Sequence, residues 1–267
     1  MNKDNKKINL NIIILIPFLI IFIFYSFYFG YKVVNYFIES NKNKELIVEI
    51  SNYYVEKKNI DSNENTTNIE ENNNNKNENN TNELYSVDFE KLKKINPDVV
   101  AFIKVNGTNI ENAVVKGNDN SYYLKHNIKK EESRAGWLFV DYRNKLDSTD
   151  KNIVIYGHNM KDGTMFGQLK KELKPDWFLN DGNKYIYYTT ENSTTIYKIF
   201  SVYEIKNENY YRKINFKDGE YDNFIETIKN RSKYDFDSDI SSNDNILTLT
   251  TCSSNSDYRI VIHAKKY

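Results

Sequence analysis

Few side chains in this chain can take part in catalysis by a cysteine nucleophile, because its 267 residues include one cysteine and three histidines. Cys252 ends the run 248–252, and Arg259 begins the next apolar run. A cysteine nucleophile needs a thiolate, a proton carrier within hydrogen-bond reach and a positive group where the oxyanion develops. Arginine stays cationic and offers several donors, so Arg259 could lower the thiol pKa and bind an oxyanion. The alternative for Arg259 is a surface ion pair with Asp257 or another acid.

His158 is the best candidate for the proton carrier. It comes directly after an apolar run, in the segment 156–160, where Gly157 is expected to let the backbone turn and the imidazole reach a cleft. From its position alone, a structural role for His158 is more common than a catalytic one. His126 lies in a polar segment and His263 in the last apolar run, so we interpret these two as surface or strand residues.

The amino-acid composition excludes some classes of function. A single cysteine excludes an intramolecular disulfide and a multi-cysteine metal site. In an exported protein Cys252 would be a free thiol and a candidate reactive group, although composition alone favours a small buried hydrophobe. The 37 basic and 37 acidic residues balance, so the chain lacks the basic excess typical of nucleic-acid binding, and we expect no nucleic-acid partner.

The elements that position these residues begin with an apolar segment. No charged residue lies between Lys7 and Lys32, and a helix of about 20 apolar residues crosses about 30 Å of hydrocarbon. Lys3 and Lys6 also precede the segment, which predicts a cytoplasmic N-terminus and an extracellular remainder. A cleaved signal peptide is the alternative, but the apolar run is long for one and no small-residue cleavage site follows. We predict a cytoplasmic tip and single-pass membrane anchor over residues 1–31.

Residues 32–83 are predicted to connect this anchor to a folded domain. Residues 33–60 mix apolar pairs with charges and could continue the anchor as a helix. Residues 61–83 are dominated by Asn and Glu, with Ile69 as the only aliphatic residue. So little apolar surface cannot offset the entropy of ordering the chain, and this stretch is predicted to be a flexible linker.

Residues 84–267 are predicted to fold into a mostly β domain. Short β-rich runs alternate with Gly, Asn and Asp, a pattern typical of a sandwich or barrel. Helical spacing predicts a helix over 219–231 with Asp218 as its N-cap, and shorter helical patterns begin at Phe89 and Phe166. The predicted strands are 101–105, 137–140, 153–156, 185–188, 195–203, 246–250 and 258–263.

Two motifs carry a family resemblance. The run 248–252, Thr-Leu-Thr-Thr-Cys, with Arg259 after it, resembles the Thr-Leu-x-Thr-Cys…Arg signature of sortases, and 156–158, Tyr-Gly-His, matches their histidine motif. Class B sortases, enzymes of Gram-positive bacteria, fit best. The similarity covers nearly all of residues 88–267 and passes through the segments 96–104, 107–110, 141–144 and 156–163.

The resemblance implies an eight-stranded β-barrel with N-terminal helices and a helix between strands six and seven, where the predicted 219–231 helix falls. It implies a cell-surface cysteine transpeptidase that cleaves a C-terminal sorting motif after Thr. Cys252 would form a thioester, and the acyl group would pass to a cell-wall amine. His158 would protonate the leaving amine and deprotonate the incoming one, and Arg259 would stabilise the oxyanion.

The resemblance also implies substrate contacts and partners. Asn120, Leu124 and Thr250 are the implied substrate-binding residues; Thr250 stands where class B members often have serine, and Phe102 replaces a frequent tryptophan. The implied partners are surface proteins with a C-terminal sorting signal and a peptidoglycan precursor or pilin amine as acceptor. No metal or organic cofactor is implied, and no acidic loop has calcium-ligand spacing.

Two other functions remain open from the sequence. A tethered cysteine hydrolase would share the first half-reaction and release surface proteins to water. A catalytically silent module would only bind wall polymers or a protein tail, against which the intact Cys252, His158 and Arg259 set argues. Products formed with and without an added amine distinguish these alternatives.

Overall fold

The computed structural model describes residues 10–56, 85–252 and 257–267. It divides into two compact units, of which the first ends at Glu45 and the second is Leu46–Tyr267. The predicted Asn-rich linker lies outside the described residues. The predicted domain limits at residues 31 and 83 stay predictions.

Helix α1 (Leu10–Ser51) is the apolar N-terminal element. It contains Pro17 and continues beyond residue 31, the predicted end of the anchor. Side chains 15–35 are all exposed. By length and composition this helix is able to cross a membrane.

The second unit is a closed β-barrel of eight strands, which confirms the predicted fold. The strands are β1 (Val99–Val105), β2 (Ile110–Val115), β3 (Phe139–Val140), β4 (Asn152–Gly157), β5 (Tyr185–Thr189), β6 (Thr194–Lys206), β7 (Ile246–Cys252) and β8 (Tyr258–Lys266). They follow one another around the barrel in the order β8-β6-β5-β1-β2-β3-β4-β7, and β7 pairs with β8 to close it. The pairs β2–β3 and β4–β7 are parallel.

Three helices accompany the barrel unit: α2 (Phe89–Ile95), α3 (Pro175–Phe178) and α4 (Glu220–Asn230). Helix α4 joins β6 to β7, as predicted, and buries Phe224 and Ile228 against Phe200 of β6. Two short strands, Tyr54–Glu56 and Tyr85–Val87, form an antiparallel pair. The 3₁₀ helices are Tyr122–Leu124, Leu169–Leu173, Asp181–Lys184 and Tyr210–Arg212.

The predicted N-cap of α4 is wrong. The cap position is Gly219, which has a left-handed φ of 76°, and no side chain caps this end. A left-handed backbone favours glycine, whereas a capping aspartate adopts an extended conformation at that position. The carboxylate of Glu220 instead accepts a hydrogen bond from the backbone N–H of Lys217 (2.8 Å) and stabilises the turn that enters the helix.

The barrel core receives residues from the chain before the barrel. Leu46 and Ile50, in the last turns of α1, are buried in the main hydrophobic core of the second unit. Tyr54 stacks on Phe102 of β1, with ring centroids 4.9 Å apart and planes within 5°. Phe102, which the resemblance marked as a replacement for tryptophan, is therefore a packing residue of the barrel.

His263 lies in β8, as predicted, but it is fully buried rather than at the surface. Its Nε2 accepts a hydrogen bond from the Tyr203 hydroxyl, and its Nδ1 donates to the Thr248 Oγ1, each at 2.8 Å. Thr248 uses its hydroxyl hydrogen to donate to the Oδ1 of Asn152 (2.6 Å), an atom that only accepts, so its Oγ1 must accept from the Nδ1 of His263. In the neutral ring Nε2 is then the acceptor. Burial, with a smaller effect of Arg231, lowers the pKa of His263 to about 3. This neutral imidazole is structural.

Glu172, in the 3₁₀ helix Leu169–Leu173, is a buried carboxyl group that should make stability depend on pH. It is 0% exposed, and neither carboxyl oxygen has a hydrogen-bond partner within residues 10–56, 85–252 and 257–267. Burial raises the pKa of Glu172 well above its ordinary value, so the folded protein holds a proton that the unfolded chain releases above about pH 4.5. The free energy of unfolding should therefore fall by about 1.4 kcal/mol per pH unit from this group as the pH rises towards the folded-state pKa.

Urea unfolding of the wild type and of Glu172→Gln at several pH values between 5 and 8 measures this effect. The stability of the variant relative to the wild type should increase with pH. Glu226→Gln, which changes an exposed carboxylate on α4, serves as the matched control and should run parallel to the wild type. A constant difference between Glu172→Gln and the wild type across this range would contradict the prediction.

Candidate functional site

A pocket at one end of the barrel brings together most of the predicted site residues. Of the six, His158, Arg259, Asn120, Leu124 and Thr250 line it. The sixth, Cys252, ends strand β7, and its side chain lies outside the part of the chain that the structure describes. The other lining residues are Phe139, Tyr156, Gly157, Tyr211, Arg212 and Thr251.

Strand pairing explains how three distant segments meet here. Strands β4 and β7 run parallel, with Gly157 opposite Thr251. His158 directly follows β4 and Cys252 ends β7, so the two residues lie at the same end of the barrel. Strand β8 is antiparallel to β7, and Arg259 is the direct partner of Cys252. The three predicted catalytic residues therefore come from three adjacent strands.

His158 is partly buried, and its Nε2 lies 2.8 Å from the carbonyl oxygen of Leu124. A carbonyl oxygen only accepts, so Nε2 is the donor and carries a proton in this hydrogen bond. In the neutral imidazole the acceptor nitrogen is then Nδ1. The carbonyl of Leu124 thus orients the ring and selects its tautomer, while the Leu124 side chain lines the pocket.

Gly157 is needed for a different reason from the one predicted. It is not among the glycines with a positive φ, so the chain does not require glycine there to turn. A Cβ at this position would lie 2.5 Å from Leu138 Cδ2 and 2.8 Å from the Phe166 ring. Glycine therefore allows the end of β4 to pack closely against these two buried side chains.

Arg259 and Thr250 present polar groups at the pocket. The Nη1 of Arg259 donates to the carbonyl oxygen of its neighbour Tyr258 (2.8 Å), which holds the partly buried guanidinium beside β7. Thr250 is 2% exposed, and its buried Oγ1 has no hydrogen-bond partner among the residues that the structure describes. Because buried hydroxyl groups are nearly always hydrogen-bonded, this orphaned Oγ1 is a natural contact for a bound ligand.

Asn120 is held in one orientation. Its Oδ1 accepts a hydrogen bond from the backbone N–H of Tyr142 (3.0 Å), and its Nδ2 donates to the Oδ2 of Asp141 (2.9 Å). The side-chain amide cannot flip without placing two donors or two acceptors together. Among the described residues these contacts leave one Nδ2 hydrogen and one Oδ1 lone pair, so Asn120 is suited to bind a peptide group.

Several residues of this region were not predicted. Tyr211 and Arg212 reach the pocket from the β6–β7 connection, and no local pattern marks them because this segment is distant in sequence from β4 and β7. Asp141 belongs to a segment that carried the resemblance, but a single sequence does not show that it is fully buried. Burial acts to raise the pKa of Asp141, but hydrogen bonds from Arg143 and Tyr156 hold it below its ordinary value.

His126 does not line this pocket, in agreement with the low rank it had among the histidines. Its ring stacks on Tyr122, with centroids 4.0 Å apart, and its Nδ1 donates to the Tyr122 carbonyl oxygen (2.8 Å). Among the described residues, no group of three or more His, Cys, Asp or Glu side chains is arranged to hold a metal ion.

Comparisons with known proteins agree with the fold. The family model for the sortase domain matches residues 103–267. Sortase B of Listeria monocytogenes is 38% identical over 184 residues, which cover 67% of this chain and 73% of that protein. The chain belongs to the sortase family of cysteine transpeptidases. The relatives that it matches are class B members, and it is an enzyme of that class.

Solved structures support the same assignment. Clostridium perfringens sortase B has a TM-score of 0.63 and 41% identity, and the match covers 67% of this chain and 99% of that one. The Staphylococcus aureus sortase B–substrate complex has a TM-score of 0.63 and 33% identity, covering 67% and 84%. A sortase B complexed with triglycine has the same TM-score and identity, covering 67% and 85%.

Proposed function

We propose that this enzyme cleaves a C-terminal sorting motif after a threonine, forms a thioester on Cys252 and transfers the acyl group to a cell-wall amine. The observation that supports the proposal is the strand register around Cys252. Cys252 is the direct partner of Arg259, and the segment with His158 runs parallel to β7. These are the three groups that cysteine acyl transfer requires.

The proposed chemistry has two half-reactions. The Cys252 thiolate attacks the threonine carbonyl, and the developing oxyanion is held by Arg259. His158 protonates the leaving amine as the peptide C–N bond breaks, which leaves the thioester. An incoming amine then attacks the thioester, loses a proton to His158 and releases the thiolate. Because Nε2 of His158 donates to Leu124, the proton is exchanged at Nδ1.

Three lining residues are proposed to bind the sorting peptide. Asn120 offers a pre-oriented amide, and Thr250 offers a buried hydroxyl without a hydrogen-bond partner in the described part of the chain. Leu124 adds apolar surface beside the catalytic histidine. This combination suits a short extended peptide with backbone polar groups and at least one apolar side chain.

The proposal includes a location and partners. Helix α1 would anchor the enzyme in the cell membrane with its N-terminus in the cytoplasm and the barrel outside, as the lysines before the helix indicate. Surface proteins with a C-terminal sorting signal would be the substrates, and a peptidoglycan precursor or pilin amine would be the acceptor. The complexes of related sortase B proteins with substrate and with triglycine support both halves of this scheme.

The test uses the full-length protein in detergent with a library of quenched sorting-signal peptides, with and without triglycine. Mass spectrometry follows Cys252 and the products. We expect a thioester on Cys252 and a product that carries the added amine. Free acid as the sole product in the presence of triglycine would favour the hydrolase, and peptides bound without cleavage would favour the silent binding module.

A further inference from the structure

A buried carboxylate lies directly behind the pocket and has no step in the proposed chemistry. Asp141 follows β3, is 0% exposed and does not line the pocket. Its Oδ2 accepts hydrogen bonds from the Tyr156 hydroxyl (2.8 Å) and from the Nδ2 of Asn120 (2.9 Å). Both donors belong to residues that line the pocket.

Arg143 extends this contact to another segment. Its Nε donates to the Oδ1 of Asp141 (2.9 Å) and its Nη2 to the Oδ2 (2.7 Å), a bidentate ion pair. The same Nη2 also donates to the carbonyl oxygen of Arg212 (3.2 Å) in the β6–β7 connection. One ion pair therefore holds three pocket-lining residues from three separate segments: Asn120 before β3, Tyr156 in β4 and Arg212 after β6.

Burying this carboxylate costs free energy, so its presence calls for a specific role. A carboxylate loses its hydration on burial, and replacing a buried ion pair by apolar residues of similar size is often neutral or stabilising. The carboxylate here accepts from Asn120, Arg143 and Tyr156 in a fixed geometry. These hydrogen bonds keep the side chains of Asn120 and Tyr156 from rotating away from the pocket.

We propose that Asp141 is a positioning residue, which fixes Asn120 and Tyr156 directly and the Arg212 carbonyl through Arg143, so that the pocket binds the backbone of the sorting peptide in one register. This inference rests on the proposed function, because it assigns the pocket to that peptide. Asp141 acts on substrate binding, whereas proton transfer and oxyanion stabilisation belong to other residues.

The variant Asp141→Asn tests this in the full-length protein. In either orientation its amide nitrogen would face a donor of Arg143, and in one orientation also the donors of Asn120 and Tyr156, which breaks the fixed geometry. We expect KM for a sorting peptide to rise about tenfold or more, as expected for losing hydrogen bonds to a charged group, with kcat changed less than about threefold. The rate at which iodoacetamide alkylates Cys252 should stay at the wild-type value, because this small reagent does not use the peptide-binding residues.

Asp150→Asn is the matched control. Asp150 is also buried, but it accepts from the backbone N–H groups of Lys145 (3.2 Å) and Leu146 (2.7 Å) and does not line the pocket. This variant should keep the wild-type KM even if its melting temperature falls. If Asp141→Asn fails to fold, Tyr156→Phe removes a single donor to Asp141 and should raise KM about threefold.

A double-mutant cycle shows whether Asp141 acts through Asn120. In the proposed arrangement Asn120→Ala and Asp141→Asn are strongly non-additive, because each removes the same contact. Wild-type KM in Asp141→Asn, or additive effects in the cycle, would overturn the inference. If the wild type cleaves no peptide, the proposed function fails, and the affinity of the Cys252→Ala protein for the labelled peptide, with and without Asp141→Asn, still decides the role of Asp141.

Discussion

Replacing Cys252 by alanine should abolish peptide cleavage and thioester formation while the protein stays folded. The chain has no second cysteine, so no other thiol can take over the attack. The backbone of residue 252 remains paired with that of Arg259, since the β7–β8 ladder does not depend on the side chain. We expect cleavage at the detection limit, no acyl adduct by mass spectrometry and a melting temperature close to that of the wild type.

Cys252→Ser is the matched variant, because it preserves the size of the side chain. A serine hydroxyl is far less acidic than a thiol, so the serine variant should be equally inactive. Cleavage by the alanine variant at more than a trace of the wild-type rate would remove Cys252 from the chemistry. A large loss of stability in either variant would instead indicate a packing role for the thiol.

Much of the fold was predictable because its signals are local. Helix α4 shows apolar residues at helical spacing, and seven of the barrel strands coincide with β-rich runs. The strand β2 (Ile110–Val115) was not among those runs, since Glu111 and Asn112 interrupt its apolar pattern. The parallel β4–β7 pair was not predictable from patterns, because it joins residues as far apart as Asn152 and Ile246.

The site was predictable where chemistry is carried by scarce residue types. Cys252 and Arg259 are close in the sequence and lie near the ends of adjacent predicted strands, so their proximity follows from local sequence, and His158 was ranked first among three histidines. Asp141 could not be identified in this way, because its importance lies in burial and in contacts from segments that are distant in sequence. Glu172 is similar, because an acidic residue is expected at the surface and only the fold shows that it is buried.

Arg259→Lys should produce the second large loss of activity. Removing one oxyanion donor costs roughly 2.7–4 kcal/mol of transition-state stabilisation, which corresponds to about 10²–10³ in kcat. The charge is retained in this variant, so the loss reports geometry. The guanidinium of Arg259 donates one nitrogen to the Tyr258 carbonyl, and its planar fork can direct another nitrogen to the oxyanion. The single nitrogen of lysine cannot occupy both positions.

Steady-state kinetics with a sorting peptide measures this loss, and its division between kcat and KM identifies the role of Arg259. An interaction made only in the transition state lowers kcat and leaves KM nearly unchanged, whereas a contact that holds the substrate equally in both states raises KM alone. The exposed Arg134→Lys serves as the control for an arginine that does not line the pocket, and it should keep wild-type kinetics. Near-normal kcat in Arg259→Lys would remove the guanidinium of Arg259 from oxyanion stabilisation.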